Sequence, residues 1–198
     1  MIETISRKLS KCVYQMGEID SSEEIVYKYG FELLISSLIN LLLLIGISLI
    51  FNQFKYLPFF LLSFVPLRTT LGGYHAKTHF SCMLVTVAVF CLSACLYKYC
   101  LLKANSLIVL VFSYLYIVIV ILIAPVKNDN KPMTCKEERT NKLKALLIVI
   151  IFSLLSMLNA IIQIHNPYNF VDMLISGETG AVVMAVIAKC EQSFSGLK

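Results

Sequence analysis

The chain has 198 residues, 58% of them hydrophobic and 15% charged, with a formal net charge of +5. Its mean hydropathy of +0.80 separates it from soluble domains, because one globular core of this size could not hide so many apolar side chains. The modest positive charge has no stacking aromatics interleaved with it, so it gives no nucleic-acid signal and is read through membrane topology instead.

The N-terminus, "MIETISRKLSKCVYQMGEID", carries charges throughout and lacks the apolar centre of a cleavable signal peptide. Residues 1–30 alternate charge with Ile, Leu, Val and Tyr, which predicts amphipathic helices on the inner membrane face. Leu33 to Phe51 is an almost unbroken apolar run, about 28 Å long as a helix, close to the hydrocarbon thickness. Tyr56 to Leu67 is weaker. It has 12 residues and contains Pro58 and Pro66, so it is a short tilted span or a re-entrant element. Ser81–Tyr97, Ser106–Ala124 and Ala145–Ile164 follow as spans. Asn169–Cys190 is long enough but contains Asp172, Gly177, Glu178 and Gly180. Either Glu178 faces protein inside the bundle, or the span begins later and Glu178 lies near an interface.

The expected fold is therefore all-α: one polytopic membrane domain over residues 1–198, with an amphipathic region at 1–30 and about six hydrophobic helices across 31–190. The seven cysteines, odd in number and scattered through apolar runs, do not form a secreted disulfide framework. Most, including Cys91 and Cys95 on one helical face, read as small packing residues.

Lys and Arg fix the orientation. Arg7, Lys8, Lys11 and Lys28 precede the first span, Arg68 and Lys77 follow the second, and Lys127, Lys131, Lys136, Arg139, Lys142 and Lys144 follow the fourth. The alternate connections carry only Lys55, then Lys98 and Lys103, then none. The positive-inside rule places both termini and the two cation-rich connections in the cytoplasm, with six crossings of the cell membrane.

One of those connections, "RTTLGGYHAKTHFSC" from Arg68 to Cys82, concentrates two of the three histidines, a cysteine and a glycine pair. The thiolate is the reactive form of cysteine, and Arg68, Lys77 or a histidine nearby would favour it against an apolar surrounding. Cys with His is the minimum set for nucleophilic acyl transfer, the thiolate attacking a carbonyl and the imidazole returning a proton to the leaving amine. In a straight helix His75 and Cys82 share a face but stand about 10.5 Å apart, so they pair only if the chain bends. The glycines favour such a bend, whereas His79 reaches Cys82 within a continuous helix. Two other readings stay open on spacing alone: interfacial polar packing, and a metal site of His75, His79 and Cys82 without a fourth ligand nearby.

The same stretch resembles the signature of the accessory gene regulator B (AgrB) family of bacterial membrane cysteine peptidases. The family's Arg, Gly-Gly, His and later Cys match Arg68, Gly72–Gly73, His75 and Cys82, and "APVKNDNKP" resembles its loop after the fourth hydrophobic segment. The resemblance implies a Cys82–His75 dyad, with His79 outside the catalytic set and no cofactor. It implies a quorum-sensing precursor peptide as substrate, cut before an acidic tail, held as an acyl-enzyme thioester and released as a cyclic thiolactone or lactone. Arg68, Gly72 and Gly73 are candidate supports for the thiolate or oxyanion.

Six cations between Lys127 and Lys144 face Asp129, Glu137 and Glu138, leaving that stretch net positive by three. Lys131, Lys136, Arg139 and Lys142 are the candidate residues to draw an acidic tail. No metal is called for. The expected partners are the precursor, the lipid bilayer and a second copy of the chain, since a short second span leaves packing a homodimer would complete. The rival class is a non-enzymatic peptide exporter or assembly scaffold. An exporter is expected to carry polar groups near midmembrane in paired broken helices.

Overall fold

A computed structural model describes residues 2–16, 23–72, 79–101, 106–126, 134–162 and 170–195. They form seven helices: α1 (Ile2–Gln15), α2 (Glu24–Ile50), α3 (Leu57–Leu71), α4 (His79–Tyr99), α5 (Ser106–Ile123), α6 (Cys135–Ile162) and α7 (Phe170–Ser195). Four of them, α2, α4, α6 and α7, are long and apolar enough to cross a bilayer, while α3 and α5 are shorter apolar helices. The all-helical polytopic expectation holds, with the second hydrophobic segment the shortest of the six.

Three boundaries differ from the sequence reading. The amphipathic region supplies one separate helix, α1, because residues from Glu24 onward continue into the first long span. Segment α3 runs on past Leu67 through Arg68 to Leu71, about one turn further, and at 15 residues is about 23 Å long. Helix α6 begins at Cys135, well before the apolar run at Ala145, so Lys136, Arg139, Lys142 and Lys144 lie on a helix rather than in a loop. Its start is a capping box. The Thr134 hydroxyl accepts from the Glu137 backbone N–H at 3.3 Å, and the Glu137 carboxylate accepts from the Thr134 N–H at 2.8 Å.

Helix α1 packs on α2 through Ser6 and Ser10, both fully buried. Small side chains let the two backbones approach, and each hydroxyl is satisfied by a carbonyl of its own helix, Ile2 and Arg7 respectively. Glu3 ties the pair together. It bonds Lys28 of α2 at 3.1 Å and Arg7 of its own helix at 2.9 Å.

Helix α7 is the post around which α3, α4, α5 and α6 stand. Two glycines allow the closest approaches. A Cβ on Gly177 would collide with the Ser63 hydroxyl and stand 3.1 Å from the Phe60 carbonyl of α3. One on Gly180 would lie 2.8 Å from both Ser93 and Val89 of α4. Between α3, α4 and α7 sits an aromatic cluster: Phe60 meets Phe90 edge-on at 5.1 Å, and Tyr56 stacks on Tyr97 at 5.6 Å. Buried hydroxyls pair across helices, Tyr56 with Ser176 at 2.9 Å and Tyr116 with Thr179 at 2.7 Å. With no water in hydrocarbon, such pairs satisfy groups that would otherwise oppose insertion.

Glu178 is 0% exposed, so of the two readings the one facing protein is correct. Neither carboxyl oxygen has a hydrogen-bond partner among the described residues.

At the opposite extreme of α3, Gly72 takes φ +70°, a left-handed conformation that glycine adopts without strain. The Val126 N–H donates to the Leu71 carbonyl at 2.8 Å, and Gly72 forms an isolated bridge with Val126. A Cβ at Gly72 would strike the Val126 carbonyl. The exit of α5 is thus clasped to the exit of α3.

Two predictions follow from this packing. Gly177→Ala and Gly180→Ala should each lower the thermal midpoint in detergent, by about 1–3 kcal/mol of stability. Gly30→Ala and Gly46→Ala, where a Cβ meets nothing within 4 Å, should be neutral or stabilising; equal losses at all four would remove α7 from its central place. The second concerns α1. Lys28, then Arg7, hold the Glu3 carboxyl below its usual value, so its contribution is present above the unfolded value and is lost as pH falls through the lowered one. Amide protection in α1, taken against intrinsic exchange rates, should therefore fall as pH drops below the usual carboxylate range, and Glu3→Gln should abolish that pH dependence. A variant that keeps it would remove Glu3 as its source.

Candidate active site

The opening motif divides at a helix end and a helix start. Arg68 lies in the last turn of α3, and Cys82 in the first turn of α4, three residues after His79. Because both helices lean on α7, these two turns face each other at one end of the bundle. Arg68 Nη2 donates to Cys82 Sγ at 3.2 Å, and Nη1 donates to Thr86 Oγ1 at 2.6 Å. Thr86 in turn donates to the Cys82 carbonyl at 2.9 Å. The planar guanidinium therefore spans two residues four apart on α4, a geometry that matches its fork and that a lysine could not reproduce. Its back packs over the Phe64 ring, with Cζ 5.6 Å from the centroid.

This arrangement fixes the sulfur and sets a permanent cation against it. Cys82 is half-buried, neither sealed in the core nor open to bulk solvent. A guanidinium N–H pointing at a sulfur becomes a charge-assisted bond when that sulfur is a thiolate, and it fixes the direction from which the sulfur can attack. The chemistry available to such a group is nucleophilic attack. Among the described cysteines, Cys12, Cys95, Cys100, Cys135 and Cys190 are exposed, and Cys91 is half-buried.

Of the other residues singled out from sequence, Gly72 is placed with Val126 in the clasp described above, as a backbone device at the site's edge. Gly73 and His75 lie outside the described residues, as do Lys127 and Lys131; His79 is described only as the first residue of α4. Lys136 is exposed on the first turn of α6. Arg139 and Lys142 line a cavity with Lys189 of α7. Thr86 and Lys189 were not anticipated. Thr86 carried one legible signal, a lone hydroxyl four residues after Cys82 in the apolar run "MLVTVAVF". Lys189 carried none, because its neighbours are distant in sequence.

Comparison with known proteins agrees with the motif. The profile of the family "Accessory gene regulator B" matches residues 2–189. Accessory gene regulator protein B of Staphylococcus saprophyticus subsp. saprophyticus is 24% identical over 94% of each chain. An AgrB-like protein of Clostridium perfringens is 27% identical over 96% of this chain and 90% of its own, and accessory gene regulator protein B of Staphylococcus intermedius is 26% identical over 85% and 86%. No solved structure matches. With its profile covering nearly the whole chain, from α1 through most of α7, this polytopic helical protein belongs to the accessory gene regulator B family.

Proposed function

We propose that this protein is a membrane-embedded cysteine endopeptidase that cuts and cyclises a quorum-sensing precursor peptide, with its nucleophile at the cytoplasmic face. The observation that carries the reading is the Arg68 guanidinium on Cys82 Sγ. The Cys82 thiolate attacks the carbonyl that precedes the precursor's acidic tail. The electron pair of the broken C–N bond goes to the tail nitrogen, and His75 delivers the proton that makes it a neutral amine. The precursor's acyl part is then a thioester on Cys82. A cysteine thiol inside the precursor, deprotonated by His75, attacks that thioester; Cys82 leaves as thiolate and the peptide closes as a thiolactone. Thioester exchange between thiols is nearly neutral in free energy, so excluding water until the internal thiol arrives protects the intermediate.

Arg68 is a positioning residue here: it orients the sulfur and supplies charge without bonding to substrate atoms. The basic stretch ahead of α6, with Lys136 exposed on its first turn, draws the acidic tail by long-range attraction, which weakens as salt rises.

Processing by purified variants in liposomes tests this reading. The probe is the product of a short neighbouring reading frame with a central Cys or Ser and an acidic tail. Cys82→Ala and His75→Ala should each reduce cleavage to background, and the double variant should be no worse, since the pair acts as a unit. His79→Ala should retain substantial activity. Arg68→Lys should lose roughly 100-fold, mostly in kcat, because it keeps the charge and loses the fork. A metal site would instead need His75 and His79 equally and would be inactivated by chelator. Cleavage that survives in Cys82→Ala would overturn this reading, and a wild-type protein that does not cleave the precursor would leave the non-enzymatic scaffold or exporter as the better one.

A further inference from the structure

A second polar feature lies at the same end of the bundle. The last turn of α5, the first turns of α6 and the final third of α7 line an open cavity of about 570 Å3. Its lining includes Leu122 and Pro125 from the α5 side, Glu138, Arg139 and Lys142 from α6, and Lys189 from α7. Three cations against one carboxylate leave it net positive by two. Lys142 is held in place, its ammonium donating to the Ile121 carbonyl at 2.8 Å, where it also satisfies the open end of α5.

The surroundings say what kind of anion fits. One turn toward the centre of the bundle from Arg139, Leu143 is 57% exposed, and on α5 Val118 and Leu122 are 53% and 76% exposed. These side chains point outward from helices that the chain's composition places in a bilayer. The cavity mouth therefore opens onto an apolar flank, with cations at its rim and hydrocarbon-facing side chains directly below. A water-soluble anion would use the cations and leave that flank untouched. A molecule with its anionic group and its apolar chains covalently joined uses both.

We infer that this cavity between α5, α6 and α7 is a binding site for the phosphate-bearing headgroup of an anionic phospholipid, whose acyl chains run down the exposed faces of α5 and α6. The site stands apart from the Cys82 chemistry and does not rest on the proposed activity. It assigns Arg139, Lys142 and Lys189 to lipid and leaves the cations ahead of them for a peptide. It also bears on the site's edge, since Pro125 of the cavity wall adjoins Val126, which is clasped to Leu71 and Gly72. A headgroup there would steady the exit of α5.

The test is native mass spectrometry of the full-length protein from micelles holding equal phosphatidylglycerol and phosphatidylcholine. Each cation near an anionic headgroup contributes about fivefold in affinity. With a net charge of two, the wild-type chain should retain one phosphatidylglycerol with about 25-fold preference. Arg139→Gln/Lys189→Gln, which leaves the Lys142 cap intact, should bring the preference to within about twofold. Lys8→Gln/Lys11→Gln removes the same charge on α1 and should keep it, and Glu138→Gln should strengthen it. No preference in the wild type, or a preference unchanged in Arg139→Gln/Lys189→Gln, would overturn the site. So would equal loss in Lys8→Gln/Lys11→Gln, which would mark a general surface-charge effect. Displacement of the retained lipid by a tetraglutamate peptide at low concentration would assign the cavity to an acidic peptide instead, and overturn the lipid site.

Discussion

The contact of α7 with α3 and α4 through Gly177 and Gly180 is the constraint on which the rest of the molecule depends. In a bilayer there is no hydrophobic drive to press helices together, so close backbone approach and the dispersion it permits must do so. Two absent side chains let α7 sit against Phe60 and Ser63 on one side and Val89 and Ser93 on the other. That spacing fixes how far apart the ends of α3 and α4 lie. Arg68 and Cys82 occupy those ends, and a guanidinium fork tolerates little error in reaching both a sulfur and a hydroxyl. A helix shift of an ångström at the glycines would open the contact at the site.

The polar side chains divide into two populations with different physics. Several in the span interior are paired across helices, as Tyr56 with Ser176, Tyr116 with Thr179, and Ser153 with the Ser113 carbonyl, while Ser48 and Ser63 bond carbonyls of their own helices. They hold register and are costly to leave unmade. Those at one end include the Arg68 guanidinium on the thiol and the charged side chains that line the cavity beside it. Glu178 belongs to neither group, being buried in the span with no bonded partner among the described residues. A carboxylate in that position opposes folding, whichever neighbours it has.

Much of this was legible in the sequence, and the division between what was and was not is physical. The spans were, because a 1.5 Å rise and a fixed hydrocarbon thickness turn apolar run length directly into a crossing. The nearness of Arg68 to Cys82 was, because both belong to one short motif that resembles a known signature. The start of α6 is encoded in Thr134 and Glu137 as a capping box, a signal that hydropathy does not carry because the cations that follow are polar whether they lie in a helix or a loop. Thr86 as a partner of Arg68, Lys189 as a wall of the cavity and Val126 as the clasp for Gly72 join residues far apart in the chain. Spacing within one helix carries no trace of such contacts.

The most direct measurement follows the thiol itself. Full-length protein in liposomes is mixed with a precursor whose internal Cys is replaced by Ala, quenched in acid and digested for mass spectrometry. With the second nucleophile removed, the reaction should stop at a thioester between Cys82 and the carbonyl preceding the acidic tail, released by hydroxylamine and absent from Cys82→Ala. Tail release without any adduct on Cys82, or an adduct on a different cysteine, would contradict a chemistry centred on the sulfur that Arg68 holds.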